Sequence, residues 1–244
     1  MTMKTLVIGL DGLPADLLLG DDRLAHVRHL MASGGFARLS GERPADPSAF
    51  WRSLDLGRLP GPDDDGEGAH WPSLPGLLSG DEPPLLVGGP SCSGGDPIAE
   101  SEARLAEFSR RLAEAPWSFA RLIDNAPALL QASGAEGAID SWIRRLDDAL
   151  APMLERLGDS GTVLIASRGV ADSAAVLATT GGGPGGEIPG LRLVDLAPML
   201  LALAGRPIPP SMTGRAPDAP PGPSGDEPDD EQAVRDRLQG LGYL

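Results

Sequence analysis

Two oppositely charged residues follow apolar stretches that are typical of buried strands. Asp11 follows the run KTLVIGL at residues 4–10, and Arg168 follows the run TVLIAS at residues 162–167. Because the carboxyl ends of parallel strands meet at one edge of a sheet, we expect the two side chains to lie within salt-bridge reach. A guanidinium donates several hydrogen bonds to a carboxylate and balances its charge in a partly buried place. The alternative is that Arg168 points into solvent from a loop.

The histidines and the cysteine offer little further chemistry. His26 and His29 are three residues apart on a predicted helix, where two imidazoles could share a metal or simply be solvated. His70 stands near the acidic run at 63–65, which is either a weak cation site or an exposed charge run. Cys92 is the only cysteine and has no nearby histidine, so we predict neither a disulfide nor a catalytic thiol.

Composition limits the class of protein. The 244 residues are 41% hydrophobic, which is enough for one sizeable domain and at most two. A net charge of −15 disfavours nucleic acid and anionic lipid surfaces as partners. The N-terminal apolar run is too short for a signal peptide or a membrane span. We therefore expect neither feature, and we expect the protein to be cytoplasmic.

Hydrophobic periodicity predicts strands that alternate with helices. This order indicates an α/β fold with a largely parallel central sheet. The run at 85–89 is predicted as a second buried strand, like the first. The predicted strands are residues 4–10, 36–40, 85–89, 117–123, 162–167 and 174–180, and the predicted helices are residues 22–33, 49–57, 98–115, 136–157 and 193–205.

The C-terminal part of the chain differs in composition from the rest. We predict a folded domain over residues 1–215, a flexible linker over 216–230 and a short helix or tail over 231–244. Four apolar residues of the tail are expected to dock on the domain or on a partner: Leu238, Leu241, Tyr243 and Leu244.

Several stretches, in order, resemble one family. VIGLDGLPADLL, PADPSAFWRSLDLGRLPG, IRRLDDALAPMLERLGDSGTVLIAS, LRLVDLAPMLLALAGRPIPPSMTGR and the ending RDRLQGLGYL are similar to the type I phosphodiesterase/nucleotide pyrophosphatase branch of the alkaline phosphatase superfamily. The resemblance implies a three-layer α/β sandwich with helices on both faces of the sheet. This chain is shorter than usual members, and most of their cap insertions are missing.

The resemblance implies hydrolysis of phosphate or sulfate esters by two metal ions, usually zinc, and a Ser or Thr nucleophile. Asp11 matches a ligand of one metal. The nucleophile's position falls on Pro47, which has no hydroxyl, and Ser48 is one residue late. We predict that Ser48 instead caps the helix at 49–57.

The remaining family ligands are mostly absent. Asp124 matches the aspartate of an Asp-x-x-x-His pair, but Ala128 stands in place of the histidine. Where the family has Ser-Asp-His-Gly, this chain has Ser-Arg-Gly, so Arg168 stands where two ligands would be. Asp172 lies near the position of the last histidine. The guanidinium of Arg168 could fill the metal's electrostatic role beside Asp11.

Three interpretations remain open. The first is a non-catalytic homologue without a cofactor, which binds a small anionic group or a protein partner at a vestigial cleft. We define this vestigial cleft as Asp11, Pro47, Ser48, Asp124, Arg168 and Asp172. The second is an active hydrolase of phosphoric or sulfuric esters that uses Asp11, Ser48, Asp124 and Asp172 with Zn²⁺ or Mg²⁺, with Asp11 and Asp124 as the metal ligands. The third is a subunit of a larger complex, with its tail docked on a neighbour.

Overall fold

The computed structural model describes residues 3–61, 72–89, 95–158, 160–179 and 185–216. Some sequence-based predictions lie outside these residues: those on His70 with the acidic run at 63–65, on Cys92, and on nearly all of the linker and tail. None of the described helices combines the length and apolarity that a bilayer span requires.

A seven-stranded, mostly parallel sheet forms the centre of the fold. The strands are β1 (Lys4–Asp11), β2 (Gly35–Arg38), β3 (Leu85–Gly88), β4 (Phe119–Asp124), β5 (Gly161–Arg168), β6 (Ser173–Thr179) and β7 (Gly186–Glu187). Their order is β3-β4-β1-β5-β6-β2-β7. β1 runs parallel to β4 and β5, whereas β6 is antiparallel to both β5 and β2. The predicted α/β class is confirmed.

Helices cover both faces of the sheet. They are α1 (Ala15–Gly20), α2 (Ala25–Ser33), α3 (Pro47–Leu56), α4 (Leu74–Ser79), α5 (Pro97–Glu114), α6 (Ala126–Ala132), α7 (Glu136–Leu157) and α8 (Leu196–Leu203), the last preceded by a 3₁₀ turn at Leu193–Asp195. α1, α2, α5, α6 and α7 pack on one face, and α3, α4 and α8 pack on the other. The three-layer arrangement is therefore present.

Each face of the sheet has its own apolar core. Trp142 and Phe108 are fully buried on the α5–α7 face, and Phe50 is fully buried on the α3–α8 face. β1 serves both cores because its side chains alternate between the faces. A methyl group at Gly9 would lie 2.8 Å from two ring carbons of Trp51. A glycine is therefore required there for α3 to lie close against β1.

One predicted strand lies at the edge of the sheet and is less buried than the sequence predicts. The run at 85–89 was expected to be buried, but β3 pairs with β4 at the edge of the sheet and Leu86 is 41% exposed. A short apolar run has the same pattern in an edge strand and in a central strand, so the sequence alone did not distinguish them. The short helices α1, α4 and α6 were not predicted at all.

Asp195 fixes the end of the described chain through several hydrogen bonds. Its carboxylate accepts from the backbone N–H of Arg192 at 3.0 Å, from the Arg192 guanidinium at 2.7 Å and from the Arg215 N–H at 2.8 Å. Burial acts to raise the pKa of Asp195, but the hydrogen bonds from Arg192 and Arg215 together hold that pKa below its ordinary value of 3.8.

We expect Asp195→Asn to weaken the acid sensitivity of the fold. Because the folded-state pKa of Asp195 is lowered, its contribution is present above the unfolded pKa of 3.8 and is lost as pH falls through the lower folded value. The change should therefore make the unfolding free energy fall less as pH is lowered from neutrality through 3.8 and below. Urea denaturation at a series of pH values measures it. Asp22→Asn, whose side chain is 91% exposed, is the control and should leave that loss unchanged.

Candidate functional site

Asp11 and Arg168 face each other at the carboxyl ends of two central strands. The parallel register of β1 and β5 aligns them directly. Arg168 Nε donates a hydrogen bond to Asp11 Oδ1, and Arg168 Nη1 donates to the carbonyl of Ala45 at 3.1 Å. The side chain of Asp11 is only 3% exposed, and that of Arg168 is 15% exposed. The predicted salt bridge is thus present, and the alternative of a solvent-facing Arg168 is wrong.

The start of α3 lies beside this pair. Asp46 is the N-cap residue, because its carboxylate accepts from the backbone N–H of Ala49 at 2.7 Å. Pro47 is the first helical residue and Ser48 is the exposed second one. The prediction that Ser48 caps this helix is therefore wrong. Proline favours the first helical position, where its missing N–H costs nothing, and this moves the cap to the preceding aspartate.

A largely buried ion pair holds α3 against the sheet. Asp55 on α3 contacts the guanidinium of Arg121 on β4, and both side chains are less than one fifth exposed. Burial raises the pKa of Asp55, and the positive charge of Arg121 only partly offsets that effect. This contact and the packing of Trp51 on Gly9 hold α3 against the sheet.

Asp172 lies at the same edge but acts on α1. Its Oδ1 accepts from the backbone N–H of Ala15 at 3.1 Å, and its Oδ2 lies 3.6 Å from Arg38 Nη1. The N-cap residue of α1 is Pro14, whose side chain makes no capping hydrogen bond. Asp172 therefore supplies the acceptor that this helix start lacks.

Asp124 turns to the opposite face of the sheet from Asp11. It aligns with Leu10, whose side chain belongs to the α5–α7 core. Its carboxylate is fully buried and contacts Ser101 and Arg104 of α5. It also accepts from Trp142 Nε1 at 3.1 Å and from the Ala126 N–H at 3.2 Å. The expectation that Asp124 shares a cleft with Asp11 is therefore corrected: it is the centre of a separate polar network.

Sequence patterns gave no sign of three arginines near these carboxylates. Arg104 lies in the helix predicted at 98–115, and nothing in its spacing indicates a buried partner. Arg38 contacts Asp16 in addition to Asp172. Arg43 donates to Ser173 Oγ at 3.1 Å and to the carbonyl of Ala171. Only the folded topology brings these side chains to the strand ends.

The two described histidines do not form a metal pair. His26 Nδ1 lies 2.9 Å from Asp147 Oδ2, and the His26 backbone N–H donates to the same carboxylate at 3.0 Å. Asp147 thus caps α2 from α7. His29 lines a separate groove at the other end of the sheet. Within the described ranges, no three His, Cys, Asp or Glu side chains are grouped so that they could hold a metal ion.

No family model and no curated protein sequence matches the chain. Solved structures do match it. A 2-O GAG sulfatase aligns with a TM-score of 0.71 and 11% identity over 88% of this chain and 73% of its own. The phosphonate monoester hydrolase of Silicibacter pomeroyi aligns with a TM-score of 0.61 and 14% identity over 88% and 75%. A protein of the alkaline phosphatase superfamily from Vibrio parahaemolyticus aligns with 0.56 and 11% over 88% and 69%.

These likenesses define the fold. The chain shares its three-layer α/β fold with these solved structures, one of which is described as a protein of the alkaline phosphatase superfamily. The described residues do not fit the two-metal site that the sequence resemblance implies. The guanidinium of Arg168 contacts Asp11, and that of Arg104 contacts Asp124, so each remaining carboxylate already has a fixed cation as its partner.

Proposed function

We propose that this protein is a non-catalytic member of its fold class that acts by binding or assembly. The observation that carries the proposal is the buried contact of Arg168 with Asp11 at the strand ends. A permanently charged guanidinium there balances the aspartate without a metal. A divalent cation at the same carboxylate would have to overcome the repulsion of Arg168 at close range in a partly buried place.

The position of the nucleophile supports the same conclusion. Pro47 stands at the expected position and has no group that could attack an ester. Ser48 follows it at the second position of α3. In-line attack needs the reacting atoms within about 3–3.5 Å. Since Ser48 is one residue displaced around the helix, its hydroxyl points in a different direction from that of a residue at 47.

The rim of the cleft favours a small anionic group as the ligand. The two partners that the structure describes for Arg43 are a hydroxyl and a carbonyl, so its charge is not balanced by either. A guanidinium in this state can donate to a sulfate, phosphate or carboxylate. A protein partner with such a group is the other form of this proposal. The acidic composition disfavours nucleic acid as a partner.

The second candidate is a hydrolase of sulfuric or phosphoric esters. The fold neighbours favour it, because a sulfatase and a phosphonate monoester hydrolase are among them. It would use Asp11, Ser48 and Asp172 with a zinc or magnesium ion. Asp124 would have to leave Ser101, Arg104 and Trp142 to join them. The geometry of the site therefore supports the first candidate better.

We expect the purified protein to hold no stoichiometric zinc after dialysis against a weak chelator, because the described donors are occupied by arginines. Elemental analysis measures this, and a screen of aryl sulfates, phosphate monoesters and phosphodiesters with added Zn²⁺, Mg²⁺ or Mn²⁺ measures activity. Metal-dependent turnover that Ser48→Ala abolishes and Ser53→Ala leaves intact would establish the hydrolase instead. Ser53 is a suitable control because it is on the same helix and its hydroxyl bonds within that helix.

A further inference from the structure

An apolar groove lies at the opposite end of the sheet from Asp11. It runs between the ends of α2 and α7 and the adjoining ends of β5 and β6, and its volume is about 470 Å³. Leu30, Leu154 and Leu157 are its largest apolar side chains, while Ser33 and Thr179 are polar. A groove with an apolar floor and a few polar groups is typical of a surface that binds another apolar group.

The chain itself contains a segment of matching character. The described part ends at Ala216, and residues 217–244 follow it. Within them, the segment VRDRLQGLGYL at 234–244 combines apolar residues with two arginines and one aspartate. Its side chains lack the negative charge of residues 217–233, so repulsion from an acidic chain does not oppose the contact. We propose that residues 234–244 dock in this groove, with Leu238 and Leu241 on its apolar floor.

Residues 217–233 are numerous enough to connect the described part of the chain to the groove. The hydrogen bond from the Arg215 N–H to Asp195 fixes where the described chain ends. Residues 217–233 are rich in Gly, Pro and acidic side chains, and about 17 such residues have a root-mean-square span of roughly 20–25 Å and a maximum near 60 Å. A domain of this size has a radius of gyration of about 17 Å, so the groove is within reach even from the other face of the sheet.

An intramolecular contact is favoured over a second copy by the tether. A tether of about 17 residues gives an effective concentration in the millimolar range, above the concentration of the protein in most solutions. The proposal is independent of whether the strand-end cleft binds an anion or hydrolyses an ester. It concerns the opposite end of the sheet, and its failure would leave the proposed function unchanged.

Hydrogen–deuterium exchange on the full chain tests the proposal. We expect Leu238→Ser with Leu241→Ser to increase the exchange rate of peptides that cover 29–33 and 154–158 by about tenfold or more, because the covering segment is lost. Gln239→Ser, between the two leucines, is the matched control and should leave these rates unchanged. Unchanged exchange in the double variant, or a change confined to peptides elsewhere on the domain, would overturn the proposal.

Disulfide cross-linking gives a second measurement that does not depend on protection from hydrogen exchange. In a Cys92→Ser background, Thr179→Cys with Leu241→Cys should form a cross-link within one chain on mild oxidation. The control pair Asp22→Cys with Leu241→Cys should remain reduced, since Asp22 lies outside the groove and is exposed. A cross-link only between two chains would contradict the intramolecular contact and would identify a second copy as the occupant.

Discussion

Arg168→Ala should lower the free energy of unfolding by about 2–4 kcal/mol. The change leaves the carboxylate of Asp11, which is 3% exposed, without its counter-charge, and it also removes the hydrogen bond to Ala45. Breaking a buried pair by removing one partner costs more than the pair contributes, because a desolvated charge remains. Chemical denaturation of the variant and the wild-type chain at neutral pH measures the difference.

The double variant distinguishes a coupled pair from two independent residues. Asp11→Asn with Arg168→Ala should recover part of the loss, because no uncompensated charge is left. Arg110→Ala removes an arginine that is also in an ion pair but is about half exposed, and it should change stability little. Strictly additive single and double changes would refute the coupling and would reopen the case for a metal ion at Asp11.

The contact between Asp11 and Arg168 could be predicted because it depends on few assumptions. Two apolar runs had to be strands, and they had to be parallel neighbours. Both conditions hold, and the register then places residue 11 opposite residue 168. The residue that follows each apolar run is then sufficient to predict the contact. Parallel strand ends meet at a common edge, whatever helices connect the strands.

The position of Asp124 could not be predicted in the same way. The strand that ends at Asp124 is predicted correctly, and Asp124 aligns with Leu10, one residue before Asp11. The face of the sheet, however, changes with every residue along a strand, so an offset of one residue separates two carboxylates completely. The partners of Asp124 come from α5 and α7, and their contact depends on how those helices pack, which local periodicity does not determine.

The cap of α3 shows a third kind of limit. Asp46 and Ser48 are both good N-cap residues, and they flank Pro47. The sequence contains the decisive signal, since proline favours the first helical position, but the prediction of Ser48 rested on the N-cap preference of serine alone. Two local preferences therefore compete here, and the preference of proline for the first helical position decides between Asp46 and Ser48.

Asp124→Ala should be the most destabilising of the changes considered, with a loss of about 3–5 kcal/mol in the free energy of unfolding. The carboxylate is fully buried, and its removal leaves the guanidinium of Arg104 and the indole N–H of Trp142 without their acceptor. A buried charge that loses its partner has a cost of this size. Asp140→Ala removes a carboxylate that is 58% exposed and should have a much smaller effect.

The same variant separates the two candidate functions when a chelator is included. If Asp124 is the acceptor of a structural network, the loss caused by Asp124→Ala is the same with and without EDTA, because no metal contributes to the stability of the native chain. If Asp124 binds a catalytic metal, EDTA destabilises the wild-type chain but not the variant, since binding to the native state alone adds to its stability. Denaturation of both chains in Zn²⁺ and in EDTA gives the four values needed. A chelator effect confined to the wild-type chain would contradict the non-catalytic assignment, because it would require Asp124 to leave Arg104 for a metal ion.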